Sequence, residues 1–198
     1  PDIPDVRKDL ALYYDEIARL DSFVGLIMSE LAAQGVAENT VILYISDNGR
    51  PFPRAKITLY DSGIRTPWIV RWPAGVKPGG KTTRLVSSVD IAPTFLELAG
   101  VSGSSLFEGR SFAGILSNPA TKVRDHVFAE KHWHDYDDQC RAVRSERFKY
   151  IRNFYPEIAA TPSADIVRSP TYRKTLALRG EGKLSLAQQN IFLAPRPG

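Results

Sequence analysis

The 198-residue sequence has a single cysteine, Cys140. One thiol excludes an internal disulfide and any cysteine-rich zinc site, and leaves the redox compartment open. No apolar run approaches the ~20 residues that a membrane-spanning helix needs. The sequence shows no Gly-rich phosphate loop, no helix-turn-helix or RNA-binding signature, no internal repeat and no low-complexity tract. A starting Met and a signal peptide are missing too; the chain opens on Pro1-Asp2-Ile3-Pro4, as expected of a piece of something longer. Charge of one sign is scarce. The net charge is +4, the pI is about 9.2, and the arginines are scattered. That balance suits an anionic small substrate or polysaccharide better than tight DNA binding. Hydrophobic residues make up 43% and charged ones 24%, ordinary for a globular protein. The length is enough for one sizeable core or one and a half domains.

What is present is organised around Val41-Ile42-Leu43-Tyr44-Ile45-Ser46-Asp47-Asn48-Gly49. An unbroken apolar run predicts a strand covered on both faces, as in the middle of a parallel sheet. It ends in a turn-forming set with two oxygen-bearing side chains. Ligands of open α/β sheets sit beyond the carboxyl ends of strands, and an Asp and an Asn there can offer oxygen to a hard cation. Taken alone, the tetrapeptide reads first as an ordinary Asx-type turn after a strand.

Before it, Leu10, Tyr13, Ile17, Leu20, Val24, Ile27 and Leu31 form one apolar stripe at helical spacing, read as core, and Gly35 supplies the stop. After it, residues 50–66 form an irregular connection with Lys56 next to the strand end. Trp68 to Trp72 reads as a second strand and Leu85-Val86 as a short extended piece. Asp90 is expected to cap a helix to about Ala99, and Phe112, Ile115 and Leu116 suggest another. Beyond residue 120 the pattern becomes a small antiparallel sheet: His126–Glu130, then a hairpin of Arg141–Arg144 and Phe148–Arg152, whose aromatics Phe148 and Tyr150 are read as core. Tyr172 to Leu178 reads as helical, and the Pro-rich end Ala194–Gly198 has no obvious finish.

Several of these pieces stand in a telling order. Tyr-Tyr-Asp-Glu-Ile-Ala-Arg-Leu-Asp at 13–21 precedes the strand with its Ser-Asp-Asn-Gly. Lys56 follows, then Leu-Tyr-Asp-Ser-Gly-Ile-Arg-Thr-Pro-Trp-Ile-Val-Arg-Trp-Pro at 59–73. Val-Ser-Ser-Val-Asp-Ile-Ala-Pro-Thr-Phe-Leu-Glu-Leu-Ala-Gly-Val at 86–101 completes the set. This order resembles the carboxyl-terminal half of sulfatases of the alkaline phosphatase superfamily, over residues 10–116 and more loosely 125–152. The connection Arg-Pro-Phe-Pro-Arg-Ala-Lys at 50–56 looks most like the heparan N-sulfatase (sulfamidase) branch.

The resemblance implies an α/β fold: part of a sulfatase-like layered mixed sheet with flanking helices over 1–120, and a small antiparallel carboxyl-terminal subdomain over 121–198. It implies hydrolysis of sulfate esters or N-sulfates, with Asp47 and Asn48 among the ligands of a calcium ion and Lys56 holding a sulfate oxygen. The formylglycine nucleophile and the remaining ligands are expected in an amino-terminal half not included here, which would be this chain's partner, and the chain alone is expected to be inactive. A periplasmic, secreted or lysosomal setting is the family expectation. A phosphate or phosphonate monoester hydrolase of the same superfamily, or a non-catalytic carbohydrate-binding module, are the other readings.

Two further features stand outside that set. Cys140 lies in Cys-Arg-Ala-Val-Arg, where Ala142 replaces the proline of the family's Cys-x-Pro-x-Arg, and the surroundings read as a strand; it is read as structural. Lys131-His132-Trp133-His134-Asp135-Tyr136-Asp137-Asp138 is a dense polar cluster. A His-x-His pair is compatible with zinc, although a polar sheet edge is the preferred plain reading. In the sulfatase reading, His132 and His134 reach the pocket rim and contact sugar hydroxyls, with Trp133 stacking on the ring.

Overall fold

In the computed structural model, residues 1–101 and 106–192 are described; the Pro-rich end from Ala194 lies outside them. The first helix, α1 (Pro4–Ala33), starts six residues before the apolar stripe because Ile3 is extended and Pro4 occupies the first helical position, where its fixed φ and missing N–H cost nothing. It ends where the sequence placed the stop. Gly35 sits at φ +70°, its N–H donates to the Ala32 carbonyl at 3.0 Å, and the Val36 N–H donates to Leu31 at 3.1 Å, the two bonds of a Schellman ending.

The burial expected of α1 is not found. No residue of the helix is buried, and Ile17, Leu20 and Ile27 on the predicted stripe are exposed. The physical reason is a missing neighbour: among the described residues only Tyr13 finds an aromatic partner across the chain, edge-on to Phe52 at 5.5 Å, and the helix of Pro170–Gly180 packs on α1 near its start.

The central strand, β1 (Ile42–Ile45), forms as predicted, but its setting differs. It pairs antiparallel with β2 (Trp68–Arg71) in a two-stranded sheet, Ile42 opposite Arg71 and Ile45 opposite Trp68. Its residues are half-buried or, at Ile45, exposed, so it is neither covered on both faces nor central. The connection 50–66 doubles back through a short helical turn, α2 (Asp61–Ile64), and delivers β2 in the opposite direction. Residues 85–86 form no strand.

Asp90 does something other than the expected helix cap. Fully buried, it accepts from the Ser87 and Arg110 amides, both at 2.8 Å, and from the Arg124 guanidinium. The cap is Ser87, whose capping box opens a short 3-10 turn leading into α3 (Ile91–Leu98). Thr94 of α3 then accepts the Phe112 amide at 2.9 Å, and Phe112 meets Trp68 edge-on at 5.6 Å. That contact ties the residue capping α4 (Ala113–Ser117) to β2, and α4 itself packs on α3.

The expected antiparallel sheet follows: β3 (Val127–Trp133), β4 (Asp137–Arg144) and β5 (Lys149–Asn153), in that order. Strand alternation puts Ala129, Cys140, Ala142 and Ile151 on one face, packed on Leu59. Cys140 is therefore a buried sheet residue. The other face is bare, so Phe148 and Tyr150, expected in the core, are 70% and 59% exposed. The chain ends in α5 (Ala164–Arg168), α6 (Pro170–Gly180) and α7 (Leu186–Gln189). Thr171 of α6 donates from its hydroxyl and its amide to Asp9 of α1, at 2.5 and 3.2 Å.

Candidate active site

Ser46 turns the chain out of β1 by donating its hydroxyl to the Asn48 carbonyl at 2.8 Å. Asp47, exposed, accepts the Asn48 amide on Oδ1 at 2.9 Å. Asn48 turns its side-chain nitrogen back to the Gly49 carbonyl at 2.7 Å, which leaves Oδ1 as its outward donor atom. The doublet is thus shaped by its own backbone and offers oxygen only, the donor type a hard cation prefers. Two such side chains are a fraction of the six to eight oxygens calcium takes. Among the described residues no three His, Cys, Asp or Glu side chains gather as a complete metal cage.

The turn is clamped from outside. The Gly49 amide donates to Gly63 of α2 at 2.8 Å. A Cβ on Gly49 would lie 1.9 Å from the Ser62 carbonyl oxygen, and one on Gly63 would lie 2.2 Å from that of Thr58. Only glycines allow these two backbones to touch.

Lys56 is carried by a strained loop. Arg54 and Ile57, on either side of it, have φ of 64° and 61°. For β-branched Ile57 this left-handed conformation is a true outlier, of the kind that persists where the surroundings over-determine it. The Lys56 amide donates to the Arg50 carbonyl at 3.1 Å, and the Ser62 hydroxyl holds the Arg54 carbonyl at 2.5 Å. The Lys56 side chain lines a cavity of about 250 Å³ together with Arg54, Tyr60, Lys131, Pro162 and Tyr172. Its Nζ donates to Asp165 of α5 at 2.7 Å. That bond, with help from Ser163, pulls the Asp165 carboxyl down to about 2; burial pushes the Tyr172 hydroxyl up.

Asn48 lines a different hollow, an open groove of about 600 Å³ between α1 and the β1 end, with Glu16, Tyr44, Arg50 and Arg65. The structure therefore sets Asp47 beside Asn48 and connects them to Lys56 through Arg50, but it opens Asn48 and the lysine into separate hollows, and Asp47 lines neither of the two. On β3, Lys131 points into the cavity and forms an ion pair with Asp138, so the alternating His132 points away; it pairs with Glu130 at 3.3 Å. His134, past a register shift at the strand end, pairs with Asp135 at 3.0 Å. Neither histidine lines the Lys56 cavity.

Sequence reasoning missed Asp61 and Asp165. Asp61 accepts from Arg144 at 3.0 Å and from Lys149 at 2.5 Å, docking the three-stranded sheet beside the lysine loop. Its Lys149 partner holds its carboxyl below the ordinary range. The signal at Asp165 was only a helix start, Ser163-Ala164-Asp165; its partner lies 109 residues away.

Comparison with known proteins now defines the class. The sulfatase family model matches residues 2–101, and the chain belongs to that family. A second model, the carboxyl-terminal region of N-sulphoglucosamine sulphohydrolase, matches residues 54–181 and includes the Lys56 loop, the small sheet and α5. An ulvan-active sulfatase of Formosa agariphila is 37% identical over the whole chain, which covers 33% of that protein. Human N-sulphoglucosamine sulphohydrolase is 30% identical over 89% of the chain, covering 37% of that protein. The solved structure of a protein in complex with its substrate D-glucosamine-2-N,6-O-disulfate superposes with a TM-score of 0.65 at 28% identity, over 72% of this chain and 31% of that one. The chain spans about a third of the length of these relatives.

Proposed function

We propose that this chain is the carboxyl-terminal portion, divided near residue 120, of a calcium-dependent sulfatase that removes sulfate from the oxygen or nitrogen of a sulfated sugar. The observation that supports it best is the Lys56 loop: two left-handed residues, with the bonds from the Lys56 amide to Arg50 and from the Ser62 hydroxyl to Arg54, set Lys56 at the wall of a cavity. Lys56 binds a sulfuryl oxygen and stabilises the negative charge that grows as the S–O or S–N bond breaks, the role of a preorganised cation. Asp47 and Asn48 give side-chain oxygens to the calcium ion. That ion would polarise the sulfuryl group, and formylglycine, placed by the family resemblance in the portion preceding this chain, would supply the nucleophile. The missing portion covers the apolar face of α1 and the open edge of β1. The sugar comes into this reading from the names of the relatives.

The test is sulfate release by the full-length protein, with calcium, from D-glucosamine-2-N,6-O-disulfate and from 4-nitrophenyl sulfate. Release that Lys56→Ala lowers about 100-fold is expected. Faster hydrolysis of phosphate or phosphonate monoesters, or calcium-dependent glycan binding without release, would displace the reading.

A further inference from the structure

We propose that Asp165 is the positioning residue of Lys56, and that α5 exists at this place to carry it. The proposal rests on the role just given to Lys56. The strained loop fixes where the Lys56 backbone stands, but four side-chain torsions still separate that backbone from the amine. Asp165 settles them: its carboxylate takes one of the three Nζ hydrogens at 2.7 Å, and the other two remain to face a ligand. The lysine side chain is only 24% exposed, so the bond lies partly out of water.

The carboxylate is itself held from two sides. Ile166, the next residue, is 1% exposed and roots α5 in the core. The Ala164 amide, on the other side, donates to Asp135 Oδ2 at 2.6 Å, and the same oxygen pairs with His134. The His134–Asp135 end of the polar cluster therefore acts on the site through α5, fixing Asp165, which fixes Lys56.

A double-mutant cycle in the full-length protein tests this, with D-glucosamine-2-N,6-O-disulfate and 4-nitrophenyl sulfate as substrates and kcat and KM measured separately. Asp165→Asn is expected to lower kcat/KM about tenfold, the cost of a misplaced catalytic group. In a Lys56→Ala background the same change should alter kcat/KM less than about twofold. Asp165→Glu, which keeps the charge and moves it by one methylene, should restore part of the loss, and it serves as the test if Asp165→Asn does not fold. A tenfold loss in both backgrounds would show Asp165 acting apart from Lys56 and overturn the proposal. So would unchanged kinetics, or a KM that falls because the carboxylate had been competing with the sulfate. A Lys56→Ala variant that releases sulfate as fast as wild type, or a wild type that releases no sulfate from either compound, would overturn the underlying reading instead.

Discussion

The amide of Gly49 meets the carbonyl of Gly63 at 2.8 Å, and that bond joins the turn bearing Asp47 and Asn48 to the end of the loop bearing Lys56. Its length depends on Gly49 lacking a side chain, since the Ser62 carbonyl oxygen occupies the space where its Cβ would go. Gly49→Ala, whose Cβ would meet the Ser62 carbonyl oxygen, is expected to force the two segments apart and to destabilise the protein by about 1–3 kcal/mol, the usual cost of overpacking. Thermal unfolding measures it. An unshifted melting temperature would show that the contact is not needed.

Asp47 and Asn48 give the cleanest metal prediction. Asp47→Ala and Asn48→Ala in the full-length protein should each weaken calcium binding at least about tenfold, read by titration calorimetry; even outer partners of metal ligands are worth that much. Chelation should abolish sulfate release, and added calcium should restore it. Wild-type affinity in both variants would return the Ser-Asp-Asn-Gly stretch to an ordinary turn.

Asp61 and Asp165 make stability depend on acid. Both carboxyls are held below their ordinary range, Asp61 chiefly by Lys149 and Asp165, at about 2, chiefly by Lys56. A depressed folded pKa stabilises fully above the unfolded value of about 3.9, and that contribution is lost as pH falls through the folded value. The gap in melting temperature between wild type and Asp61→Asn or Asp165→Asn should therefore stay constant from about pH 5 to 8 and close between about pH 4 and 2. Both carboxylates are partly solvated, so added salt should narrow the gap.

Which parts of this were legible in the sequence follows from the range of the forces involved. The stripe from Leu10 to Leu31 and the glycine at 35 gave α1 and its end, because helix period and left-handed stops are local. Alternation gave β3, β4 and β5, and the apolar run gave β1. What failed was burial. Period does not say which face has a neighbour, so the α1 stripe, Phe148 and Tyr150 read as core, although Ile17, Leu20, Ile27 and both aromatics are exposed among the described residues. β1 was given a central place when β2 is its one pairing strand among the described residues. Asp90 illustrates the same limit for polar groups: its place before Ile91 reads as a helix cap, whereas its real partners at Arg110 and Arg124 come from the fold. In the site, motif order picked out Asp47, Asn48 and Lys56, but the left-handed residues around Lys56 and its tie to Asp165 are tertiary facts with no local code.

The uncovered face of α1 leads to the last expectation. Phe23, Leu26 and Ile27 are each more than half exposed, and β1 pairs along one edge with β2 alone among the described residues. Apolar patches and open strand edges of this kind drive association. The 198-residue chain expressed by itself should self-associate in size-exclusion chromatography with light scattering and should bind a hydrophobic dye. Leu26→Lys combined with Ile27→Glu should move it toward monomer, because charges on that face oppose stacking. The same polypeptide should not turn over 4-nitrophenyl sulfate, since the resemblance places the nucleophile outside it. A monodisperse, dye-silent wild-type chain would mean that the helix buries its stripe by another route, and measurable turnover would mean that the chemistry needs nothing beyond these residues.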